Sequence, residues 1–422
     1  MLKTLKNADI NNKTILFRAP YDIETTKEGE IYKLKDDSRI KCTIDTINYL
    51  IENNCKIVIL TWVGRPETPS EEFSTKWHAK ELSFFLKKEV KHIDDCVGEK
   101  VQLAISNLKP QELLMLENTR FHKEDLEDND EFAKQLCQGS DFIVFDGFPQ
   151  AHRKHSSTTG ILKLLPSCAG FYFEKEYTSL KSILNDPARP FTVIIGGAKV
   201  SDKIDAIKSM SKIADIVLTG GGTANVFLKA DGKNIGISYA EEKSVDKNKQ
   251  EINYLHEAKS LLDQKLSPEQ SAQFDVAVEA NFYKIMLPYD LITSKSVDDG
   301  ANIKLSIAHK QINAVDPEYA AFDIGPITCD IYKKIIEQSK TIFWAGPLGV
   351  YEKPAFSLGT QTIAQTMSNH SGQTIVAGGD TIDALNKLGK PENIKHISLA
   401  GGATLDFISG KELPVLKYLI EN

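Results

Sequence analysis

The stretch FTVIIGGAKVSDK, residues 191–203, carries the reading of the fold. Its first five residues are apolar and β-branched, the pattern of a buried strand, and Gly196 and Gly197 then break the run before a helical pattern begins. A strand passing through glycines into a helix is an anion site in outline. Backbone N–H groups approach a phosphate closely there, and the helix N-terminus adds partial positive charge. Lys199 and Lys203 are four residues apart, which predicts that they share one face of the first helical turn. Two solvated surface lysines are the plain alternative.

On either side of this stretch, short apolar runs recur between amphipathic segments. They predict strands at Thr14–Arg18, Lys56–Thr61, Leu113–Glu117 and Phe142–Phe145, and again at Phe191–Ile195, Ile216–Thr219, Lys284–Leu287, Thr341–Trp344, Thr374–Val376 and His396–Leu399. Continuous apolar runs separated by helices predict parallel sheets covered on both faces. We therefore expect an α/β protein of two doubly wound, Rossmann-like halves, facing each other across a hinged cleft. The first domain is placed at residues 1–172 and the second at 173–400, with Phe173–Leu184 as the connecting helix and 401–422 returning to the first. Residues 263–283 read as a surface elaboration.

The residues that end each run differ between the halves. In the second, nearly every run ends in glycine: Gly196 and Gly197, Gly220 to Gly222, Gly346 with Pro347, Gly378 and Gly379, Gly401 and Gly402. Ligands of open α/β sheets bind at the carboxyl ends of strands, so these turns are expected to ring one site. In the first half the run ends carry arginine instead: Arg18, Arg65, Arg120 and Arg153, joined by Arg39 from the segment DDSRI. The planar guanidinium suits phosphate and carboxylate, and several gathered at one sheet edge require an anion.

Composition excludes several classes. A length of 422 residues exceeds one ordinary core, and no apolar stretch approaches the ~20 residues of a membrane span. The formal charge of −7 disfavours nucleic acid as a partner. Six cysteines without a CxxC pair predict reduced thiols, and nine histidines without HExxH spacing disfavour a metal cage built from protein ligands alone. Residues Met1 to Ile10 show no apolar signal core, so a cytoplasmic location is expected.

A nucleotide cradle in one half and an arginine basket in the other suggest phosphoryl transfer between two phosphorylated ligands. That reaction asks of a protein mainly positioning, charge neutralisation and exclusion of water.

The chain resembles the phosphoglycerate kinases through VGRPE, LENTRF, AHRKHSS, GGAKVSDK, DIGP, GPLGVYE, FSLGT, GGDT and GGATLDFISGKELP, spread over almost its whole length. The resemblance implies reversible, Mg2+-dependent transfer between ATP or ADP and 3-phosphoglycerate or 1,3-bisphosphoglycerate, by a monomer. It implies that Arg18, Arg39, Arg65, Arg120 and Arg153 bind the acid, with Arg39 steadying the phosphoryl group, and that Asp22 and Trp62 stand among them. Lys199 and Lys203 are implied as phosphate contacts, Lys203 also touching the phosphoryl in flight. Gly197, Ala198, Gly222, Pro347 and Gly379 are implied to line the nucleotide, Glu352 to hold its ribose, Asp380 to sit by the magnesium, and Thr381 to meet a phosphate. Gly401 and Gly402 would support the transferring group through their amides.

The family pattern is broken at several of these places. Its RVDFNVP loop reads Arg18, Ala19, Pro20, Tyr21, Asp22, Ile23, Glu24 here, and the histidine of SHLGRP is Trp62. WNGP has become Trp344, Ala345, Gly346, Pro347; GGGDT begins with Ala377; and the last glycine turn opens with Leu399 and Ala400. An alanine in a glycine turn keeps its backbone donor only where φ is negative. Three readings stay open at this point: a phosphoglycerate kinase with a remodelled acid loop, a kinase of the same fold for another small acid, and a nucleotide- or anion-binding protein without turnover.

Overall fold

The computed structural model describes residues 1–245, 249–266, 274, 283–298, 303–307 and 313–421. Most of the 263–283 elaboration lies outside the described residues. The chain divides into two compact units, Met1–Ser179 with Glu412–Asn422, and Leu180–Lys411.

The strands of the first unit are β1 (Thr14–Arg18), β2 (Thr25–Glu28), β3 (Ile31–Leu34), β4 (Lys56–Leu60), β5 (Val90–His92), β6 (Leu113–Met115), β7 (Phe142–Phe145) and β8 (Ser167–Ala169). Six of them form one parallel sheet in the order β5-β6-β4-β1-β7-β8, while β2 and β3 pair as an antiparallel hairpin. Strands β1, β4 and β7 are buried along almost their whole length, as runs covered on both faces must be. Their inward side chains Ile15, Phe17, Ile57, Ile59 and Val144 join one core with Leu50 and Leu82 from the flanking helices. From β1 the chain moves outward on one side through β4, then crosses to β7 on the other, so its direction reverses beside β1. Crevices for ligands open at such reversals, outside the carboxyl ends of the strands.

The second unit repeats the plan with β9 (Phe191–Ile195), β10 (Ile216–Thr219), β14 (Ile285–Met286), β19 (Thr341–Ala345), β20 (Gln373–Ala377) and β21 (His396–Ser398), in the parallel order β14-β10-β9-β19-β20-β21. Its reversal falls between β9 and β19. Two short pairs stand apart from this sheet: β11 (Asn234–Ile235) runs parallel to β17 (Asn313–Val315), and β12 (Lys243–Val245) antiparallel to β13 (Glu251–Asn253). Antiparallel strands β15 (Asp290–Ser294), β16 (Lys304–Ile307) and β18 (Ala320–Ile324) form a further small sheet that the apolar runs did not foretell. The ten expected strands are present with ends shifted by up to two residues; β5 and β8, three residues each, were missed because neither holds a run of apolar residues.

Residues 401–411 sit in the second unit rather than with the returning tail. Ser209 Oγ donates to Ser409 O at 2.8 Å, and Lys411 pairs with Asp205 at 3.0 Å. The tail beyond them lies in the first unit, where Lys3 N donates to Leu419 O at 2.8 Å and Leu2 bridges Ile420.

Candidate functional site

The reversal beside β1 is occupied by the arginines. Arg18 ends β1, Trp62 and Arg65 follow β4, Arg120 follows β6 and Arg153 follows β7, so four sheet turns deliver four guanidinium groups to one edge. Arg18 is fully buried; its Nε donates to Ser157 O at 2.8 Å and one terminal nitrogen to Ala19 O, while the other terminal nitrogen has no partner. Burial pushes its pKa down to about 10, opposed by the nearby Asp125 carboxylate. Arg120 is also lowered, mainly by burial, with Asp22 and Asp125 opposing and Arg153 and Arg65 adding to the shift. Arg120 donates to Gly64 O and leaves a buried Nε unpartnered.

Trp62 stands between these charges. The guanidinium carbons of Arg18 and Arg120 lie 4.4 and 4.2 Å from its ring centroid, within cation–π range, and its Nε1 donates to Asp22 Oδ2 at 3.0 Å. Asp22 Oδ1 accepts the Gly64 N–H at 2.8 Å, and its carbonyl accepts from Arg39 at 2.6 Å, which links the fifth arginine to the group. A cavity of about 550 Å³ opens here, lined by Asp22, Arg65 and Arg120 with Lys35, Glu24, Glu72 and residues of the turn after β4.

Three contributors escaped the sequence reading. Asn118, fully buried, accepts from Val63 N and Arg120 N at 3.1 Å each and donates to Val63 O and Phe73 O at 2.8 and 3.0 Å, fastening the turn after β6 to the turn after β4. Asp125 supplies buried negative charge and is held by Thr119 Oγ1, Ser157 N and Ser157 Oγ. His155 packs on Trp62 with centroids 5.0 Å apart, and burial, with its cationic neighbours opposed by Asp125, holds its pKa near 4. Asn118 was visible within LENTRF, next to Arg120; nothing in the spacing singled out Asp125 among its acidic neighbours.

In the second unit the glycines meet each other before they meet a ligand. A Cβ on Gly196 would lie 2.1 Å from Pro347 O, one on Gly346 2.3 Å from Gly196 O, and one on Gly222 2.3 Å from Ala198 O. The turns after β9, β10 and β19 therefore touch backbone to backbone. The Gly196 and Gly197 N–H groups donate to Ala345 O and Pro347 O, at 3.0 and 2.7 Å, so these two amides serve the loop contact and not a phosphate. Gly197, Gly346, Gly378 and Gly401 have positive φ, whereas Ala345, Ala377 and Ala400 do not, so those three alanines fit turns that the family pattern writes with other residues.

The expectation that Lys199 and Lys203 share a helical turn is corrected. The helix runs from Ile204 to Ile213 and Lys203 is its cap, because the Lys203 and Ile204 amides both turn back onto Val200 O; Lys199 lies in the preceding turn. Lys203 still points into the cradle: its Cε lies 3.9 Å from where a Gly197 Cβ would be, and burial lowers its pKa against the pull of Asp202 and Asp380. Lys199 and Asp380 are exposed. Asp380 sits in the first turn of the helix Gly379–Leu388, whose leading N–H groups have no intrahelical acceptors. Thr381 is buried, and its Oγ1 accepts the Gly346 N–H at 2.7 Å, so it fixes the turn after β19. Glu352 is exposed beside Tyr351, which donates to Asp383 at 2.7 Å. Gly401 caps the short helix Gly402–Ile408.

A single exposed carboxylate beside a helix N-terminus fits a magnesium ion held largely by nucleotide phosphates and water. Among the described residues, Asp95, Cys96 and His122 bring three potential metal-ligand atoms within 4.8 Å of one another. His122 is already hydrogen-bonded to Asp95 at 2.8 Å, and burial raises the Cys96 thiol well above its usual range, which keeps it protonated.

The phosphoglycerate kinase family model matches residues 5–411. The phosphoglycerate kinase of Moorella thermoacetica is 38% identical over 99% of both chains, and that of Finegoldia magna is 38% identical over 98% of this chain and 97% of its own. The structure of phosphoglycerate kinase from Coxiella burnetii superposes with a TM-score of 0.82 at 32% identity, covering 99% of each chain. Two parallel α/β sheets, cationic side chains at the reversal of one and glycine turns at the reversal of the other, together with these relatives, define a phosphotransferase whose acceptor is a carboxyl group. The chain belongs to the phosphoglycerate kinase family.

Proposed function

We propose that the protein catalyses reversible, Mg2+-dependent phosphoryl transfer between 1,3-bisphosphoglycerate and ADP, giving 3-phosphoglycerate and ATP, in glycolysis or gluconeogenesis. The observation that carries this reading is the convergence of Arg18, Arg65, Arg120 and Arg153 on one sheet reversal, where Arg65 and Arg153 bear on the Arg120 guanidinium as like charges and call for an anion. Arg65, Arg120 and Arg153 would hold the acid, and Arg39 would steady the phosphoryl group as it moves. Lys199 and Lys203 would offset charge on the nucleotide phosphates, and Glu352 would hold the ribose. The first-turn amides of Gly379–Leu388 and the amides at Gly401 and Gly402 would receive phosphate oxygens. Magnesium, when bound at Asp380 with the phosphates, supplies further neutralisation of their charge.

The test is a coupled assay with 3-phosphoglycerate and Mg-ATP. Turnover that falls by at least about 10²-fold in Arg39→Ala supports the reading; absence of turnover with the unaltered protein overturns it. A second reading, a different small acid as acceptor, is favoured by one observation: the single N–H of Trp62 is committed to Asp22, so the indole offers no hydrogen-bonding group to the acid. A panel of small carboxylic acids in the same assay separates the two. We further propose a monomer in the cytoplasm, to be checked by sedimentation velocity and by imaging a fluorescent fusion.

A further inference from the structure

We propose that Trp62 is a positioning residue for the anion site: its ring, clamped by Asp22, fixes where the Arg18 and Arg120 guanidinium groups stand and, through Arg120, how a phosphate or carboxylate is met. The inference rests on reading the first unit's arginine cluster as the seat of the acid.

Trp62 cannot itself be a hydrogen-bonding contact for the ligand. Its side chain is 1% exposed, and its single donor is committed to Asp22 Oδ2. Arg18 is equally withdrawn, fully buried with Nε and one terminal nitrogen bound to main-chain carbonyls. Its other terminal nitrogen is unpartnered but closed off from solvent, so in this packing Arg18 acts on a ligand through its charge, and the indole lies against that charge at 4.4 Å.

Arg120, half-buried, is where the effect reaches the cavity. Four contacts close a circuit around it. Asp22 Oδ2 holds the indole N–H, the indole face holds the Arg120 guanidinium at 4.2 Å, Arg120 donates to Gly64 O, and the Gly64 N–H returns to Asp22 Oδ1 at 2.8 Å. Each link in the circuit restrains the next, so the long, flexible Arg120 side chain is ordered before any ligand arrives, and the entropy of ordering it is not lost on binding. Without the ring, two neighbouring cations would share a water-poor site unscreened and turn toward Asp125. A second nitrogen of Arg120, its buried Nε, has no partner.

The experiment compares Trp62→Phe, which keeps an aromatic face and loses the clamp, with Trp62→Leu, which keeps apolar bulk and loses the face. Inorganic phosphate is titrated by calorimetry, with Arg120→Ala identifying the heat that belongs to this site, and KM is measured for 3-phosphoglycerate and for ATP. Phosphate affinity is expected to fall about 10-fold in Trp62→Leu and about threefold in Trp62→Phe, with the KM for 3-phosphoglycerate following and the KM for ATP unchanged. Should Trp62→Leu fail to fold, Trp62→Phe carries the test alone through its about threefold weakening of phosphate. Equal phosphate affinity in the unaltered, Phe and Leu proteins overturns the proposal, as does an equal loss for ATP or a lack of any phosphate heat removable by Arg120→Ala. The predicted ratios for phosphate without turnover of 3-phosphoglycerate uphold the positioning role and sink the substrate assignment alone.

Discussion

The two units place their sites at the same topological point with opposite materials. At the reversal of the first sheet the turns present large charged side chains, which donate to main-chain carbonyls and are further placed by other side chains: Trp62, Asp22, Asn118 and Asp125. At the reversal of the second the turns present glycine, and the organising contacts run through main chain, Gly196 against Gly346 and Gly222 against Ala198. Side chains can approach a small acid at chosen angles but each must be held in place by a carbonyl or by another side chain. Main chain gives short, fixed N–H groups, and only where no Cβ intrudes. Damage should therefore show as lost binding in the first unit and as lost folding in the second.

The exception within the second unit is its lysine, and it gives the largest expected effect. Lys203→Ala removes a half-buried charge from a cradle of neutral amides without disturbing the glycine contacts, so the unit should fold while kcat falls about 10²- to 10³-fold, ~3–4 kcal/mol of barrier. The KM for the acid should stay where it was. Steady-state kinetics with a melting curve checks both halves of the statement, and a large drop in melting temperature would place Lys203 among the structural residues instead.

Gly346→Ala tests the main-chain side directly. Its Cβ would lie 2.3 Å from Gly196 O and 2.4 Å from Gly196 C, at a φ of +95°, against backbone with nothing flexible to yield. A destabilisation of about 3 kcal/mol or more is expected by denaturant unfolding. Gly232→Ala, also at positive φ (+79°) but with open space around the new methyl group, isolates the conformational part and should cost about 1 kcal/mol. Similar losses in the two variants would remove the close approach of the turns as the reason for the glycines.

Asn118→Ala tests the side-chain mode. Four main-chain groups lose their partner, at Val63, Phe73 and Arg120, and the cost should be about 1.5–3 kcal/mol in stability. Because the residue ties the turns carrying Arg65 and Arg120, the KM for the acid should also rise about threefold while that for nucleotide does not move.

The same contrast explains what could be read from the residues alone. Continuous runs such as Phe191–Ile195 and Phe142–Phe145 declare strands buried on both faces, and the residue type that ends each run declares the chemistry of its edge. Arginine and glycine at run ends are visible in one dimension because strand order does not alter which end of a parallel strand faces the site. The partners that hold those residues are another matter. Asp125 meets Ser157 across 32 positions, and Trp62 meets Asp22 across 40, so neither pairing has a local signature. The glycine amides were misjudged for a related reason: the sequence shows that a Cβ is excluded, but not whether ligand or neighbouring loop excludes it. Of the antiparallel strands, β15 and β16 hold at most two apolar residues in a row and β16 is largely exposed, whereas β18 includes most of a four-residue apolar run, Tyr319–Phe322, that patterning alone could have marked.

The smallest expected effect separates the units by pH. His155 lies among Arg18, Arg120 and Arg153 with its pKa held near 4, against about 6.5 in the unfolded chain. The folded state therefore binds fewer protons between those values. Its contribution to stability is complete above about pH 6.5 and is lost as pH falls toward 4. Within that cluster the ring stays neutral through pH 5.5–8, so it adds no charge to the site over this range. Sulfate, which does not titrate here, should inhibit competitively against the acid with a Ki varying less than about twofold over this interval. In the second unit burial lowers Lys203, so phosphate affinity there should weaken on the alkaline side before an ordinary lysine would lose its proton. A tenfold step in the sulfate Ki centred near pH 6.5 would mean that His155 charges inside the arginine cluster, and the packing of its ring against Trp62 would then have to open to water at each titration.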